Sequence, residues 1–133
     1  MNVDVGTAIP ELIVESVSAE KMKTYAAILR DPNPIHWDPE EVIAKGNGTT
    51  VINQGPANLG YVMTMLMNWA GPASIRTIRA RFTANVFGGD HVTAGGVVTG
   101  VREENGETLV DCDVWLDRDD GTRTVAGSAT VAL

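Results

Sequence analysis

The sequence predicts an α+β fold in which a long antiparallel sheet wraps around one central helix. The helix is expected from Pro56 to Ala70, because Gly55 suits its N-cap and Gly71-Pro72 ends it. Apolar side chains cover almost its whole circumference, so it must be buried in a core or a membrane. It is shorter than the ~20 apolar residues of a membrane span and contains Asn58 and Asn68, which indicates a core helix. Only strand patterns follow it, and a sheet curled around the helix is the economical way to bury it.

Length, charge and cysteine content restrict the class of protein. The 133 residues form one domain, 1–133, which is long enough for a hydrophobic core. The net charge of -7 argues against a nucleic acid or an anionic membrane as partner, because both require a basic surface. Cys112 is the only cysteine, and we expect it to be a small buried hydrophobe in a reducing compartment. The first residues carry no basic or apolar run typical of a signal peptide, so we expect a cytoplasmic protein.

The segment before the central helix predicts one strand and two short helices. Pro10 and an alternating run from Leu12 to Val17 indicate an edge strand or an extended arm. Ser18 can cap a helix from Ala19 to Leu29, in which apolar residues recur at helical spacing. A second helix is expected from Pro39 to about Ala44.

Two prolines, Pro32 and Pro34, lie in the loop Asp31–Asp38 that joins these helices. Each fixes its own φ and disfavours the helical region for the residue before it. We therefore expect a stiff loop, neither helix interior nor central strand, that aims the side chains of Asp31 and His36. The next helix begins with a full set of capping signals: Asp38 as N-cap, Glu41 as capping-box partner, and Trp37 and Val42 as a hydrophobic staple.

Four strands are expected after the central helix, at Ile78 to Ala84, His91 to Arg102, Glu107 to Leu116 and Thr122 to Leu133. Asn105-Gly106 and Asp120-Gly121 are hairpin signals, and Gly95-Gly96 indicates a bulge or bend. Such a sheet has exposed edges and covers the helix only in part. A dimer that continues the sheet is therefore expected.

Three sequence motifs carry a family resemblance. The pattern D-x-N-P-x-H-x-D runs from Asp31 to Asp38, with a helix on either side. The segment Arg81–Asp90 has the pattern R-F-x-x-N-V-x-x-G-D, and Ile52–Pro56 leads into the central helix as I-x-Q-G-P. These motifs resemble the MaoC-like (R)-specific enoyl-CoA hydratases, which have the hot-dog fold, and the resemblance covers nearly the whole chain. Trp69–Pro72 is similar to small actinobacterial members that act on long-chain or steroid-derived acyl thioesters.

The chain also departs from the family pattern. Arg30 stands where the family usually has glycine, Pro32 where it has a bulky residue, and Asn85 where it has proline. Beside the glycine that begins the central helix, Gln54 and Pro56 replace histidine and methionine. These changes preserve the Asp31 and His36 motif but alter the surroundings of the acyl pocket.

The resemblance implies hydration of a 2-enoyl thioester, or the reverse dehydration of a 3-hydroxyacyl thioester. The reaction must deprotonate water, protonate Cα and stabilise an enolate on the thioester oxygen. Asp31 and His36 suit the first two tasks by holding one water, with Asp31 mainly as base and His36 as acid, a division that the sequence leaves open. Gly55 matches the family's oxyanion glycine, whose backbone N–H lies at a helix N-terminus.

The expected substrate-binding residues are Asn33, Gln54, Arg79 and Arg81. Asn33 is expected to brace the loop rather than to react, and Gln54 adjoins the oxyanion glycine. Arg79 and Arg81, together with Arg76, are candidates to contact the phosphates of coenzyme A. Outward-facing strand charge is the alternative and commoner role for these arginines.

No cofactor or metal site is expected. The chain has no Cys/His cluster and no glycine pattern that opens a helix after a strand. His91 follows a turn and is expected to be structural. Acyl-CoA is the expected substrate, with an acyl carrier protein as the alternative carrier.

Two other functions compete with a hydratase. A hot-dog acyl-CoA thioesterase uses a carboxylate on the central helix, and none occurs between Pro56 and Ala70. Released thiol would nevertheless indicate that activity. The chain could also be a subunit of a hetero-oligomeric hydratase rather than the homodimer that we expect. Acyl chain length and physiological direction are not encoded in any motif.

Overall fold

The computed structural model describes all 133 residues, 1–133. Its helices are α1 (Ala19–Ile28), a one-turn 3₁₀ helix (Pro34–His36), α2 (Pro39–Ala44) and α3 (Gly55–Ala70). Its strands are β1 (Ala8–Val14), β2 (Ile75–Phe82), β3 (Val92–Glu104), β4 (Glu107–Arg118) and β5 (Arg123–Ala132).

One antiparallel sheet contains all five strands in the order β1-β3-β4-β5-β2. The strands β1 and β2 are its two edges, as expected for the proline-containing β1. The turn between β3 and β4 has positive φ at Asn105 and Gly106, which matches the predicted hairpin signal. Hairpins link the three long strands β3, β4 and β5. The strand β2 precedes them in the chain and pairs with β5 at the edge of the sheet.

The helix α3 packs on one face of this sheet and contacts all five strands. The side chains of Val62, Met65 and Leu66 are fully buried against the core residues of β3, β4 and β5. The predicted α+β fold, an antiparallel sheet wrapped on a central helix, is confirmed. The five strands curl around only one side of α3 and leave Met63 and Met67 partly exposed, as expected for a sheet that covers the helix only in part.

The pair Gly95-Gly96 does not form the expected bulge. Both residues are in regular register with Trp115 and Val114, and the irregularity in β3 lies between Val98 and Gly100. A Cβ at Gly95 would lie 2.6 Å from the Trp115 indole nitrogen, and one at Gly96 would lie 2.9 Å from a backbone oxygen. Glycine is required here because neighbouring groups approach closely, not because the strand bends.

Several boundaries also differ from those expected. The strand β1 begins at Ala8 rather than Leu12, and its register shifts between Ile9 and Leu12, around the proline that cannot donate to β3. The strand β2 begins at Ile75 and ends at Phe82, before Ala84. None of the helices combines the length and the apolar content that a membrane span requires.

Candidate active site

The loop that carries His36 is more ordered than a simple extended segment. Residues Pro34–His36 form one turn of 3₁₀ helix within the predicted stiff loop, a turn that the sequence analysis did not anticipate. The fixed φ of Pro34 suits the first position of a helical turn, and Asn33 caps that turn by accepting from the Ile35 N–H at 3.3 Å. Asp31 Oδ1 accepts from the Asn33 N–H at 3.1 Å, so Asn33 braces the loop from both directions.

The helix α1 ends in a Schellman motif just before Asp31. The N–H of Arg30 donates to Ala27 O at 3.3 Å, and that of Asp31 donates to Ala26 O at 2.9 Å. The motif requires a left-handed residue, and Arg30 has φ 51°. Glycine adopts this left-handed conformation without steric cost, which explains why the family usually has glycine at this position. In this chain, Arg30 adopts it with backbone strain.

On the other side of the loop, α2 is capped by the carboxylate of Asp38, which accepts from the Glu40 N–H at 3.0 Å. The expected capping-box bond from Glu41 is absent, because its carboxylate pairs with Lys45 at 3.1 Å. Val42 is fully buried, but Trp37 is 47% exposed, so the expected staple does not bury the indole.

Asp31 and His36 face each other directly. Asp31 Oδ2 lies 3.1 Å from His36 Nε2, with the two side chains 38% and 8% exposed. His36 Nδ1 lies 2.6 Å from the carbonyl oxygen of Ile52, which can only accept, so Nδ1 carries the proton. The 3.1 Å between Nε2 and Oδ2 is one hydrogen-bond length and leaves no room for a water between the two atoms, so a proton on Nε2 or on the carboxylate joins them. The arrangement suits transfer of one proton at Nε2.

The segment around Ile52 connects this pair to α3. The Ile52 N–H donates to Ile35 O at 2.9 Å, and the Asn53 N–H donates to Val86 O at 2.7 Å. His36 is thus held by a backbone segment that is itself fixed to the chain before β3. Gly55 follows Ile52 by three residues, a reach of at most ~11 Å between Cα atoms. The imidazole is therefore held by the segment that leads directly into α3.

The N-terminus of α3 offers one free donor. Gln54, not Gly55, is the N-cap, and Gly55 is the first helical residue. Among the first four residues of α3, Pro56 has no N–H, and those of Ala57 and Asn58 donate to Gln54 O at 3.0 and 3.1 Å. The Gly55 N–H has no acceptor within the chain. Such an N–H at a helix N-terminus favours a negatively charged oxygen.

The ring of Phe82 from the edge strand β2 covers Gly55. An added Cβ at Gly55 would lie 3.3 Å from this ring, which leaves room for glycine alone without a shift of the ring. Phe82 is itself exposed on its other side. The Gly55 N–H is thus flanked by an apolar surface, which strengthens its interaction with an oxyanion.

The predicted substrate-binding residues are distributed unevenly around this site. Gln54 is 1% exposed, and its Nε2 donates to Met22 O at 2.8 Å, so it ties α1 to the start of α3. Arg79 and Arg81 are exposed and alternate along β2 with Phe82, which places them on the opposite face of the sheet from Gly55. Contacts of these residues with a substrate remain predictions.

Arg76, the third arginine considered for phosphate contacts, is engaged elsewhere. Its guanidinium donates to Glu107 Oε1 at 2.6 Å and to Ala73 O at 2.7 Å.

His91 lies immediately before β3, with Nδ1 3.8 Å from Asp119 Oδ1. No group of three or more His, Cys, Asp or Glu side chains could hold a metal ion. Cys112 is buried as expected, and burial raises the pKa of its thiol to about 11.

The sequence alone did not reveal a groove of about 370 Å³ in the surface. It lies between the end of α1 and the first half of α3, and its lining includes Tyr25, Ile28, Leu29, Pro56, Gly60 and Tyr61. Two lining residues are close in sequence to the candidate site: Pro56 adjoins Gly55, and Leu29 precedes Asp31 by two residues. A signal was present in the sequence: Ala57, Gly60 and Thr64 place small side chains on one face of α3.

Burial raises the pKa of Tyr61 in this groove. The nearby Tyr25 raises that pKa further, and the Asn53 amide, which stabilises the phenolate, opposes both effects. Tyr61 therefore stays protonated at neutral pH and can donate its hydroxyl hydrogen.

Comparisons with known proteins identify the family of the chain. The chain matches the family of MaoC-like domains over residues 6–116. It is similar to the (R)-hydratase from A. caviae involved in PHA biosynthesis, with 26% identity, coverage of 98% and 97% of the two chains, and a TM-score of 0.87. A search of curated proteins found no match to the chain.

Two further solved structures share the fold. The R-hydratase PhaJ1 from Pseudomonas aeruginosa is 22% identical, with coverage of 97% of this chain and 81% of that one and a TM-score of 0.82. A structure of the ChsH1–ChsH2 complex from Mycobacterium tuberculosis is 24% identical, with coverage of 98% of both chains and a TM-score of 0.83. The chain therefore belongs to the MaoC-like dehydratase family and has its hot-dog fold.

Proposed function

We propose that the protein is a hydro-lyase that adds water to 2-enoyl-CoA thioesters with (R) specificity, or removes water from the corresponding 3-hydroxyacyl thioesters. The observation that carries the proposal is the close Asp31–His36 pair, 3.1 Å between Oδ2 and Nε2. Membership of the MaoC-like family and the similarity to the A. caviae (R)-hydratase support the reaction class.

In the proposed mechanism, Asp31 and His36 bind one water that lies to one side of their facing atoms, within hydrogen-bond reach of both. Asp31, the more exposed of the two, takes a proton from the water, whose oxygen then forms a bond to C3 of the enoyl thioester. The C2–C3 π electrons move toward the carbonyl, and negative charge develops on the thioester oxygen. His36 Nε2 delivers a proton to C2, and the proton that Asp31 took from the water passes across the 3.1 Å between Oδ2 and Nε2 to replace it, while the Ile52 carbonyl holds the ring through Nδ1. The net change is addition of H and OH across the double bond.

The thioester oxygen is proposed to lie against the N–H of Gly55. This N–H has no acceptor within the chain, and it lies at the positive end of the α3 dipole. Removal of such a donor typically costs ~3–4 kcal/mol of transition-state stabilisation. The acyl chain is proposed to enter the groove between α1 and α3, which begins beside Gly55.

A thioesterase is disfavoured by the central helix itself. Between Gly55 and Ala70 there is no carboxylate that could activate water or attack a thioester. The chain is proposed to assemble as a dimer through the exposed sheet edges β1 and β2 and the partly exposed side of α3. A heterodimer is the alternative to a homodimer, since the similar ChsH1–ChsH2 structure is a complex.

The test is to incubate the purified protein with crotonyl-CoA and with longer or branched 2-enoyl-CoAs and to follow loss of the conjugated absorbance. Asp31→Asn should lower kcat/KM by at least ~100-fold, because the base that accepts the proton from water is lost. Asp38→Asn is the matched control, since asparagine also caps helices and should preserve both fold and activity. Equal activity of the wild type and Asp31→Asn would refute the assignment, and release of free thiol would indicate a thioesterase.

A further inference from the structure

The helix α1 is held to the rest of the fold mainly at one residue. Of the ten residues in Ala19–Ile28, only Met22 is buried, and its side chain belongs to the hydrophobic core. The carbonyl oxygen of Met22 accepts from Gln54 Nε2 at 2.8 Å, and Gln54 itself is 1% exposed. Four residues after Met22, the carbonyl oxygen of Ala26 accepts from the Asp31 N–H at 2.9 Å. The Gln54 side chain therefore holds α1 about one turn, ~6 Å along the axis, before the point where the helix holds Asp31.

The main chain of Gln54 defines the first turn of α3. Gln54 is the N-cap, and its carbonyl oxygen accepts from the N–H groups of Ala57 and Asn58 at 3.0 and 3.1 Å. The next residue, Gly55, carries the N–H without an acceptor that the proposed function gives to the thioester oxygen. One buried residue is thus bonded through its side chain to the helix that leads to Asp31, and through its main chain to the start of α3.

The Gln54 amide is only half satisfied by hydrogen bonds. Its Nε2 makes the bond to Met22 O, whereas its Oε1 is buried and has no hydrogen-bond partner. A buried acceptor without a donor costs about as much as a typical hydrogen bond contributes, so the two effects nearly cancel. Met22 O also lies in the interior of α1, where the helix supplies a donor of its own. The amide therefore adds orientation to the structure and little net stability.

We propose that Gln54 is a positioning residue that fixes the Asp31 carboxylate relative to the Gly55 N–H. The inference rests on the proposed function, since it concerns two groups of that reaction. His36 is held to the same stretch by a separate bond, 2.6 Å from its Nδ1 to Ile52 O. Residues 52–55 thus serve as the common reference for the acid, the base and the oxyanion donor. Gln54 supplies the link to the base and acts through the groups that it holds.

The experiment replaces the amide without shortening the side chain. Gln54→Met should lower kcat toward crotonyl-CoA about 10- to 100-fold, because a displacement of ~1 Å at a reacting group can cost 100-fold. KM should change less than about 3-fold, since uniform substrate binding is retained. The urea midpoint should stay close to that of the wild type, because the acceptor without a partner disappears together with the bond.

Gln54→His is the rescue variant, and it introduces the residue that the family usually has here. The imidazole Nε2 is as many bonds from Cα as the amide nitrogen is, and it can donate to Met22 O. Gln54→His should therefore keep kcat within about 3-fold of the wild type. A kcat as low as that of Gln54→Met would overturn the inference.

Thr124→Val is the matched control, because Thr124 is buried and its hydroxyl also donates to a main-chain oxygen, Leu116 O at 2.9 Å. It should lower the urea midpoint and leave kcat unchanged. Wild-type kcat in Gln54→Met would overturn the inference, while hydration of crotonyl-CoA upheld the proposed function. Failure of Gln54→Met to fold, or a large loss of stability, would overturn it too by showing a structural role. If the wild type hydrates no enoyl-CoA, the proposed function fails and this inference fails with it.

Discussion

Arg30 holds a backbone conformation that glycine adopts at much lower cost. Its φ is 51°, and it occupies the left-handed position of the Schellman motif that ends α1. This conformation costs a residue with a Cβ ~1–2 kcal/mol, whereas the extra freedom of glycine in the unfolded chain costs ~0.4–1 kcal/mol. Arg30→Gly is therefore expected to raise the free energy of unfolding by about 0.5–1 kcal/mol.

The gain is measurable by urea denaturation followed by circular dichroism at one fixed protein concentration. A gain of this size corresponds to a rise in Tm of about 2–5 °C for a domain of this length. Activity toward enoyl-CoA should persist, because the Asp31 carboxylate keeps its bonds within the loop.

Two control variants separate backbone strain from other effects of the arginine side chain. Arg30→Ala removes the charge but keeps a Cβ, so it should give no comparable gain. Asn105→Gly acts at the second non-glycine residue with positive φ, also 51°, and should gain less because asparagine tolerates that region. If Arg30→Ala stabilises as much as Arg30→Gly, or if Arg30→Gly destabilises the protein, the strain argument is refuted.

Three further predictions concern the site, the core and the surface. Gly55→Ala places a methyl group 3.3 Å from the Phe82 ring and beside the oxyanion donor, and it should lower kcat about 100-fold with little change in the urea midpoint. The thiol of Cys112 is buried, and its pKa is raised to about 11. It should resist iodoacetamide at pH 8 in the folded protein and react on unfolding, as followed by mass spectrometry. Rapid labelling of the folded protein would contradict its burial. The Arg118 guanidinium, with help from Thr122, lowers the pKa of the Asp120 carboxyl to about 2, so its stabilising contribution should be complete above about pH 4 and be lost as the pH falls through about 2. An NMR titration of that carboxyl checks the value, and a midpoint near 4 would contradict it.

The sequence predicted correctly those element ends and turns whose local signals agree with the packing of the whole fold. Gly71-Pro72 ends α3 as expected, and Asn105-Gly106 forms the β3–β4 turn. The strand order β1-β3-β4-β5-β2 could not be deduced in the same way, because alternation defines strand faces but not which strands pair. Gly95 and Gly96 were misinterpreted for a related reason: only the fold brings Trp115 and a backbone oxygen against them.

The candidate site was partly accessible from the sequence. Asp31 and His36 could be expected to meet because only a short proline-stiffened loop separates them, and they lie 3.1 Å apart. The one-turn helix at Pro34–His36 was missed because Pro34 was weighed as a helix breaker rather than as a first helical residue. The groove was missed because the small residues on one face of α3 do not by themselves indicate that α1 forms its other wall.

The most direct test of the central claim is a crystal structure of the protein with a bound, non-reactive 2-enoyl-CoA analogue. The account predicts that the thioester oxygen accepts from the Gly55 N–H at about 3 Å, and that C2 and C3 lie beside His36 Nε2 and Asp31 Oδ2. The acyl chain should follow the groove past Tyr61. A thioester oxygen held by any other donor, or a double bond away from the Asp31–His36 pair, would contradict it.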